Sequence, residues 1–140
     1  MSRSGYSDGC DGWDLIRWRG AVASAIKGQR GQAFLRELLA ALDALPEKRL
    51  ISDALIEDGE VCAIGSVGLK RGIDMTQLDV ENPDQLAKAF GIAPALVQEI
   101  EFMNDDDFSY QETTPEKRFE QMRNWVARQI KNDPDTQTVE

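Results

Sequence analysis

Apolar side chains recur at helical spacing over much of this chain. A first stripe between residues 12 and 27 contains Leu15, Trp18, Val22, Ala25 and Ile26. A second between residues 32 and 44 contains Phe34, Leu35, Leu38, Leu39 and Leu42. Residues three and four apart share one face of a helix, and Gly28, Gly31 and Pro46 interrupt the pattern. The spacing predicts two antiparallel helices that supply much of the core.

A third stripe predicts a last helix over about residues 115–131. Its buried side would contain Phe119, Met122, Trp125, Val126 and Ile130. Thr113 or Thr114 can cap this helix, because a threonine hydroxyl accepts a hydrogen bond from a free N–H of the first turn. Pro115 suits that first turn, where its missing N–H is not needed.

One stretch changes from helical to alternating periodicity. Apolar segments rich in β-forming residues flank Asp58-Gly59. An Asp-Gly pair is a strong signal for a two-residue hairpin turn, because both positions take positive φ. The sequence therefore predicts a β-hairpin over about residues 54–64. Gly65 and Gly68 follow it without the spacing of a phosphate-binding loop, so we expect them to allow close packing of strand and helix.

The stretch over about residues 84–103 has the pattern of a helix-turn-helix. Its small and apolar positions fall where that motif buries side chains: Leu86, Ala87, Phe90, Ile92, Val97 and Ile100. Gly91 lies at the turn and can take the positive φ required there. The second helix offers only Gln98 to read a base, and no Lys or Arg lies between Lys88 and Lys117. We therefore expect a structural corner that does not read duplex DNA.

The length and composition are those of one globular domain, with 140 residues of which 41% are hydrophobic and 29% charged. We expect a mainly α fold over residues 1–131, with four to five helices and one small hairpin, followed by a frayed acidic tail over residues 132–140. No apolar run approaches a membrane span and no secretory signal is visible, so we expect a cytoplasmic protein. Cys10 and Cys62 are too few to indicate a disulfide framework.

The chain contains no histidine. This absence removes the commonest general base, the Ser–His and Cys–His nucleophile pairs, and nearly every zinc or iron site built on imidazole. No carboxylate pair or lysine stands in a recognisable catalytic arrangement. We therefore expect no enzymatic activity and no cofactor.

The net charge of −9 is unevenly distributed. Residues 79–112 contain nine acids and one lysine, and the candidate partner-binding face within them consists of Glu99, Glu101, Asp105, Asp106, Asp107 and Glu112. Such a face could imitate nucleic-acid phosphates and bind a basic groove. A possible basic patch lies upstream, in a stretch without acids, and consists of Arg17, Arg19, Lys27, Arg30 and Arg36. Both regions could instead be solvated surface, and a chain polarised in this way can form a homo-oligomer.

The acidic stretch also has the spacing of a calcium-binding loop. Ligand positions one, three, five, nine and twelve would be held by Asp105, Asp107, Ser109, Thr113 and Glu116. Tyr110, however, stands where the sharp turn requires glycine, and Glu112 replaces the usual apolar residue. We therefore expect a solvated acidic linker and no metal site.

Several short segments together carry a resemblance. They are residues 3–8 (RSGYSD), 31–36 (GQAFLR), 62–65 (CAIG), 90–92 (FGI), 103–105 (MND) and 123–126 (RNWV). On these segments the chain resembles small proteins of tailed bacteriophages and prophages, over nearly its whole length except the acidic tail. The resemblance implies a bacterial cytoplasm during infection or lysogeny. It implies no chemistry, because none of the segments is a catalytic signature.

These observations lead us to expect a non-enzymatic phage or prophage accessory protein that binds a host or phage protein. It could act as an acidic nucleic-acid mimic that inhibits a nuclease or a defence component. The alternative is a DNA-associated transcriptional regulator that uses the helix-turn-helix-like corner as a scaffold and the basic segment 17–36 for phosphates. Binding to duplex DNA that weakens steeply with salt would favour the alternative.

Overall fold

The computed structural model describes residues 12–105 and 113–131. The elements in chain order are α1 (Gly12–Lys27), α2 (Gln29–Ala44), β1 (Ile56–Glu57), β2 (Glu60–Val61), α3 (Ala63–Arg71), a 3₁₀ turn (Met75–Gln77), α4 (Pro83–Phe90), α5 (Pro94–Asp105) and α6 (Pro115–Gln129). The expected mainly α fold with one small hairpin is confirmed. The described residues form six α-helices, where four to five were expected. The predicted tail over 132–140 lies outside the described residues, so the domain boundary at residue 131 stays a prediction.

Two helices organise the core. The predicted apolar stripe of α2 is buried at Phe34, Leu35, Leu38 and Leu42 and half-buried at Leu39, and this helix contacts α1, α3 and α6. On the other side, α5 contacts α1, α3, α4 and α6. The predicted stripe of α6 is buried at Phe119, Met122, Trp125 and Val126 and half-buried at Ile130.

Within the described residues, no helix is both long and apolar enough to cross a membrane.

Side-chain caps and glycines set the ends of several helices. The Asn82 side chain accepts a hydrogen bond from the Gln85 N–H at the start of α4. The Thr114 hydroxyl accepts one from the Lys117 N–H at the start of α6, as predicted. Gly72 ends α3 with a φ of 76°, a left-handed conformation that favours glycine. These local contacts fix where α3 ends and where α4 and α6 begin.

The hairpin is shorter than the predicted range of 54–64. Ile56 pairs with Val61 and Glu57 with Glu60, around a turn in which Asp58 and Gly59 both have positive φ, as the Asp-Gly signal predicted. Residues 63 and 64 belong to α3 instead of a strand. That helix begins early because Cys62 caps it, with Sγ accepting a hydrogen bond from the Gly65 N–H at 3.4 Å.

The glycines of α3 allow close packing, as expected from the sequence. A Cβ at Gly65 would overlap the carbonyl oxygen of Leu55, which belongs to the segment entering the hairpin. A Cβ at Gly68 would overlap the sulfur of Met75. The first contact is with backbone and cannot relax easily, so Gly65 fixes the distance between α3 and the hairpin.

Candidate functional site

The helix-turn-helix-like corner consists of α4 and α5, and its predicted packing is confirmed. All six predicted side chains are at most 6% exposed: Leu86, Ala87, Phe90, Ile92, Val97 and Ile100. Gly91 takes a φ of 75° at the turn. The second helix of the corner is enclosed, because seven of the twelve residues of α5 are buried and four other helices contact it. A DNA-recognition helix presents an open face with phosphate-binding cations near it, whereas the outward side of α5 consists of the half-buried Ala95, Gln98, Phe102 and Asp105, and α5 contains no cation.

Glu99 and Glu101 do not belong to an acidic surface. Their exposed fractions are 4% and 0%. The two Glu99 oxygens accept hydrogen bonds from the Arg19 guanidinium at 2.9 and 3.3 Å, which joins α5 to α1. The prediction that these two acids form part of an exposed face is wrong, because α5 is surrounded by other helices where a solvent-facing side was expected.

The remaining members of the predicted acidic face lie at the end of α5 and beyond it. Asp105 is half-buried, and its Oδ1 accepts hydrogen bonds from the Asp53 N–H at 3.2 Å and from the Asn104 side chain at 2.6 Å. Asp106, Asp107 and Glu112 lie outside the described residues. Their predicted role therefore stays a prediction.

A different group of acids from the same block is exposed. Asp79, Glu81 and Asp84 precede α4 or lie in its first turn, and we call them the acidic segment 79–84. No ion pair joins these three carboxylates to a cation among the residues described. Asp79 Oδ1 accepts a hydrogen bond from the Glu81 N–H at 2.9 Å. Asp84 lies where the positive end of the helix dipole favours an anion.

Other acids are matched by arginines. The Arg71 Nε and Nη2 atoms donate to the two Glu37 oxygens at 2.7 and 2.6 Å. These hydrogen bonds hold the pKa of Glu37 below its ordinary value and raise the pKa of Arg71. Arg123 lowers the pKa of Asp43 through the same kind of contact. These pairs join α2 to α3 and to α6, so they serve the fold.

The predicted basic patch is not one surface. Arg19 binds Glu99 of α5, so its charge is already paired with a carboxylate although its side chain is 51% exposed. Arg17 lies two residues before Arg19, which places it about 200° away around the helix. Lys27 and Arg30, in contrast, lie on either side of the junction between α1 and α2.

This junction also receives the end of α6, and Gln32 ties the three chain segments together. The buried Gln32 amide donates from Nε2 to the carbonyls of Ile26 at 2.7 Å and Gln129 at 3.0 Å. Its Oε1 accepts from the Lys131 N–H at 2.7 Å. Every polar atom of the Gln32 side chain is therefore used to hold the junction in place.

Two exposed cationic side chains form further hydrogen bonds at the same junction. Lys131 Nζ donates to the Lys27 carbonyl at 2.8 Å, and Arg36 Nη2 donates to the Lys131 carbonyl at 2.8 Å. We define the basic corner as Lys27, Arg30, Arg36 and Lys131, all of which are exposed. The sequence indicated the first three. It did not indicate Lys131, which is distant in the chain and joins them only through the packing of α6 on α2.

Only three of the five candidate calcium ligands, Asp105, Thr113 and Glu116, lie among the described residues, so the expectation of no metal site stays a prediction. Asp105 Oδ1 is already engaged by Asp53 and Asn104, and Glu116 lies 3.9 Å from the Arg49 guanidinium. Thr113 is half-buried, and the other two candidates, Asp107 and Ser109, lie outside the described residues. Where the chain is described, no group of three or more metal-ligating His, Cys, Asp or Glu side chains occurs.

A buried amide, Asn104, connects the end of α5 to three other segments. Its Oδ1 accepts from the Ala63 N–H at 3.1 Å, and its Nδ2 donates to the Ile51 carbonyl at 3.0 Å. Its main-chain carbonyl accepts from Arg118 Nε at 3.1 Å. Asn104 was not predicted from the sequence, although a polar residue on an otherwise apolar helical face is a signal for such a contact.

No protein-family model, no curated protein and no solved structure matches this chain.

Proposed function

We propose that this chain is a non-enzymatic accessory protein of a phage or prophage that binds a host or phage protein in the bacterial cytoplasm. The phage setting rests on the resemblance of its short segments. The proposed mode of binding rests on one observation: the acidic segment 79–84 places three exposed carboxylates within six residues, and no cation is present from residue 72 to residue 87. We expect this segment to meet a basic surface of the partner.

The use of the interior polar groups supports a binding role over catalysis. Gln32 and Asn104 direct their amides at main-chain atoms, and the Ser66 hydroxyl donates to the Ala63 carbonyl at 2.6 Å. A catalytic group needs a substrate within reach of its reactive atom. These side chains instead form hydrogen bonds with buried backbone groups, so they stabilise the fold. We therefore expect the protein to act through its surface.

The acidic segment is held in a fixed conformation before α4. Its backbone is fixed by the Asn82 cap and by Gln85 Oε1, which accepts a hydrogen bond from the Asp79 N–H at 2.6 Å. A backbone held in this way loses little freedom on binding, which favours affinity. Three neighbouring negative charges on such a backbone suit a groove that binds nucleic-acid phosphates, such as that of a nuclease or a defence component.

The alternative function, a DNA-associated transcriptional regulator, is less well supported. Its scaffold was the corner of α4 and α5, whose second helix is enclosed. It also requires cations of residues 17–36 to contact phosphates, but one of them, Arg19, is bound to Glu99. The net charge of −9 also opposes the approach of a polyanion.

A quantitative pull-down from bacterial lysate tests the proposal. The wild type is compared with the triple variant Asp79→Asn, Glu81→Gln, Asp84→Asn, in which the amides can keep the local hydrogen bonds. The control variant, Glu57→Gln, Asp58→Asn, Glu120→Gln, removes the same charge. Its three acids are exposed and unpaired where the chain is described, but they are scattered over the hairpin and α6.

We expect the wild type and the control to retain the same basic protein, and the triple variant to lose at least about nine tenths of it. Three exposed ion pairs together contribute roughly 1.5 kcal/mol, which corresponds to about a tenfold change in affinity. Equal recovery by all three proteins would overturn the role of the acidic segment. A variant carrying Asp105, Asp106 and Asp107 as Asn tests the predicted acids at the end of α5 in the same assay.

A further inference from the structure

We infer that the basic corner, formed by Lys27, Arg30, Arg36 and Lys131, is a docking surface for an acidic segment of a partner polypeptide. This surface is distinct from the acidic segment 79–84, and it has the opposite charge. The inference therefore goes beyond the proposed function and can fail or succeed independently of it.

The corner is a rigid arrangement. Three chain segments, the end of α1, the start of α2 and the end of α6, are joined there through both polar atoms of the buried Gln32 side chain. The main-chain N–H, the carbonyl and the side-chain nitrogen of Lys131 are all hydrogen-bonded within the corner. Because the backbone is held at so many points, the four cations are presented from a fixed frame, and a ligand need not organise it.

The positive charge of the corner is not neutralised among the described residues. Lys27 and Arg30 make no side-chain hydrogen bond or ion pair within them. The next acids along α2, Glu37 and Asp43, are already bound by Arg71 and Arg123. No acid occurs between residues 17 and 36. The corner therefore offers an anionic partner two cations, Lys27 and Arg30, that no carboxylate of the described residues occupies.

The surroundings of the corner favour a polypeptide over a nucleic acid. Proteins that bind single strands stack bases on exposed aromatic rings, and the exposed residues one turn from Lys27 and Arg30 are Ala23, Ser24 and Ala33. A duplex would extend beyond the corner and meet the field of a chain with net charge −9. A short acidic peptide can bind within the corner alone, and its apolar side chains can contact the alanines.

The test measures binding of a fluorescent peptide of alternating glutamate and alanine, and of a labelled 20-base-pair duplex, to the full chain. The variant Lys27→Gln, Arg30→Gln removes two cations that make no internal contact where the chain is described. The matched control is Lys88→Gln, Lys117→Gln, which are equally exposed and without side-chain partners there. Melting temperatures establish that both variants fold.

We expect the peptide to bind the wild type and the control alike, more tightly than the duplex does, and to bind the corner variant about fivefold more weakly. Absence of peptide binding, or equal binding by the two variants, overturns the inference. Tighter binding of the duplex through the same two cations would assign the corner to nucleic acid and overturn it as well.

Two further measurements separate other occupants of the corner. If the peptide binds only after Asp133, Asp135 and Glu140 are changed to amides, the chain's own acidic residues occupy the corner and a partner segment does not. If sedimentation shows self-association that the corner variant abolishes, the occupant is a second copy. Either result overturns the assignment to a partner polypeptide.

Discussion

The substitution Asn104→Leu tests whether the buried polar residues act as structural connections. Leucine has the same branching as asparagine and is slightly larger, so the change removes hydrogen bonds without creating a cavity. It leaves the Ala63 N–H and the Ile51 carbonyl without their side-chain partner. A buried polar group without a partner costs about 1–3 kcal/mol, and the Ile51 contact is only partly buried. We therefore expect a loss of about 2–4 kcal/mol in the free energy of unfolding.

The assay is urea unfolding followed by circular dichroism, with thermal melting as a second measurement. For a chain of this size the expected loss corresponds to a fall of about 6–14 °C in Tm. The matched control is Gln98→Leu on the same helix, because Gln98 makes no side-chain hydrogen bond in the part of the chain described. This control should change stability by less than about 0.5 kcal/mol. Equal, small effects of both substitutions would refute the assignment of Asn104 as a structural connection.

Three further outcomes are expected. Because Arg71 lowers the pKa of Glu37, this carboxylate stabilises the fold above its ordinary pKa and loses that contribution as pH falls through the lowered value. The Tm difference between the wild type and Glu37→Gln should thus shrink from about pH 6 to about pH 3. It should stay below about 1 kcal/mol in equivalent stability, because the two side chains are 31% and 32% exposed and solvent screens the pair. Arg19→Gln should destabilise the fold by about 1–3 kcal/mol in urea unfolding, more than Glu99→Gln, because only Glu99 is buried; equal losses would contradict this asymmetry. Gly65→Ala should lower the free energy of unfolding by about 1–3 kcal/mol, because the new methyl group overlaps the backbone of Leu55. Gly20→Ala, in open space on α1, should raise it by up to about 1 kcal/mol. Thermal melting that ranks the two variants in the reverse order would contradict the packing described.

Local signals in the sequence were sufficient for most of the fold. The hairpin turn follows from the Asp58-Gly59 pair, and the corner between α4 and α5 follows from Gly91 and the apolar residues around it. The start of α3 was harder to predict, because Cys62 and the residues after it are as apolar as the residues of a buried strand. Their helical state depends on the Cys62 cap and on contact with Leu55, neither of which periodicity reveals.

The charged surfaces were harder to predict than the fold. Glu99 and Glu101 lie in an acidic run, and nothing in that run shows that α1 covers α5. Whether an acid is exposed depends on which helices surround it, and this is a property of the tertiary packing. The same reason explains Lys131, which joins the basic corner from about 100 residues away in the chain through Gln32. Charge along a sequence therefore indicated which residues could act, but not which of them share a surface.

The central claim is that the protein acts by binding, through the acidic segment 79–84, a protein with a basic surface. Isothermal titration with the partner captured in the pull-down tests this most directly. We predict that the variant neutralised at Asp79, Glu81 and Asp84 binds about tenfold more weakly than the wild type at low salt, and that the difference shrinks as salt is raised. The same affinity for both proteins at every salt concentration would contradict the claim.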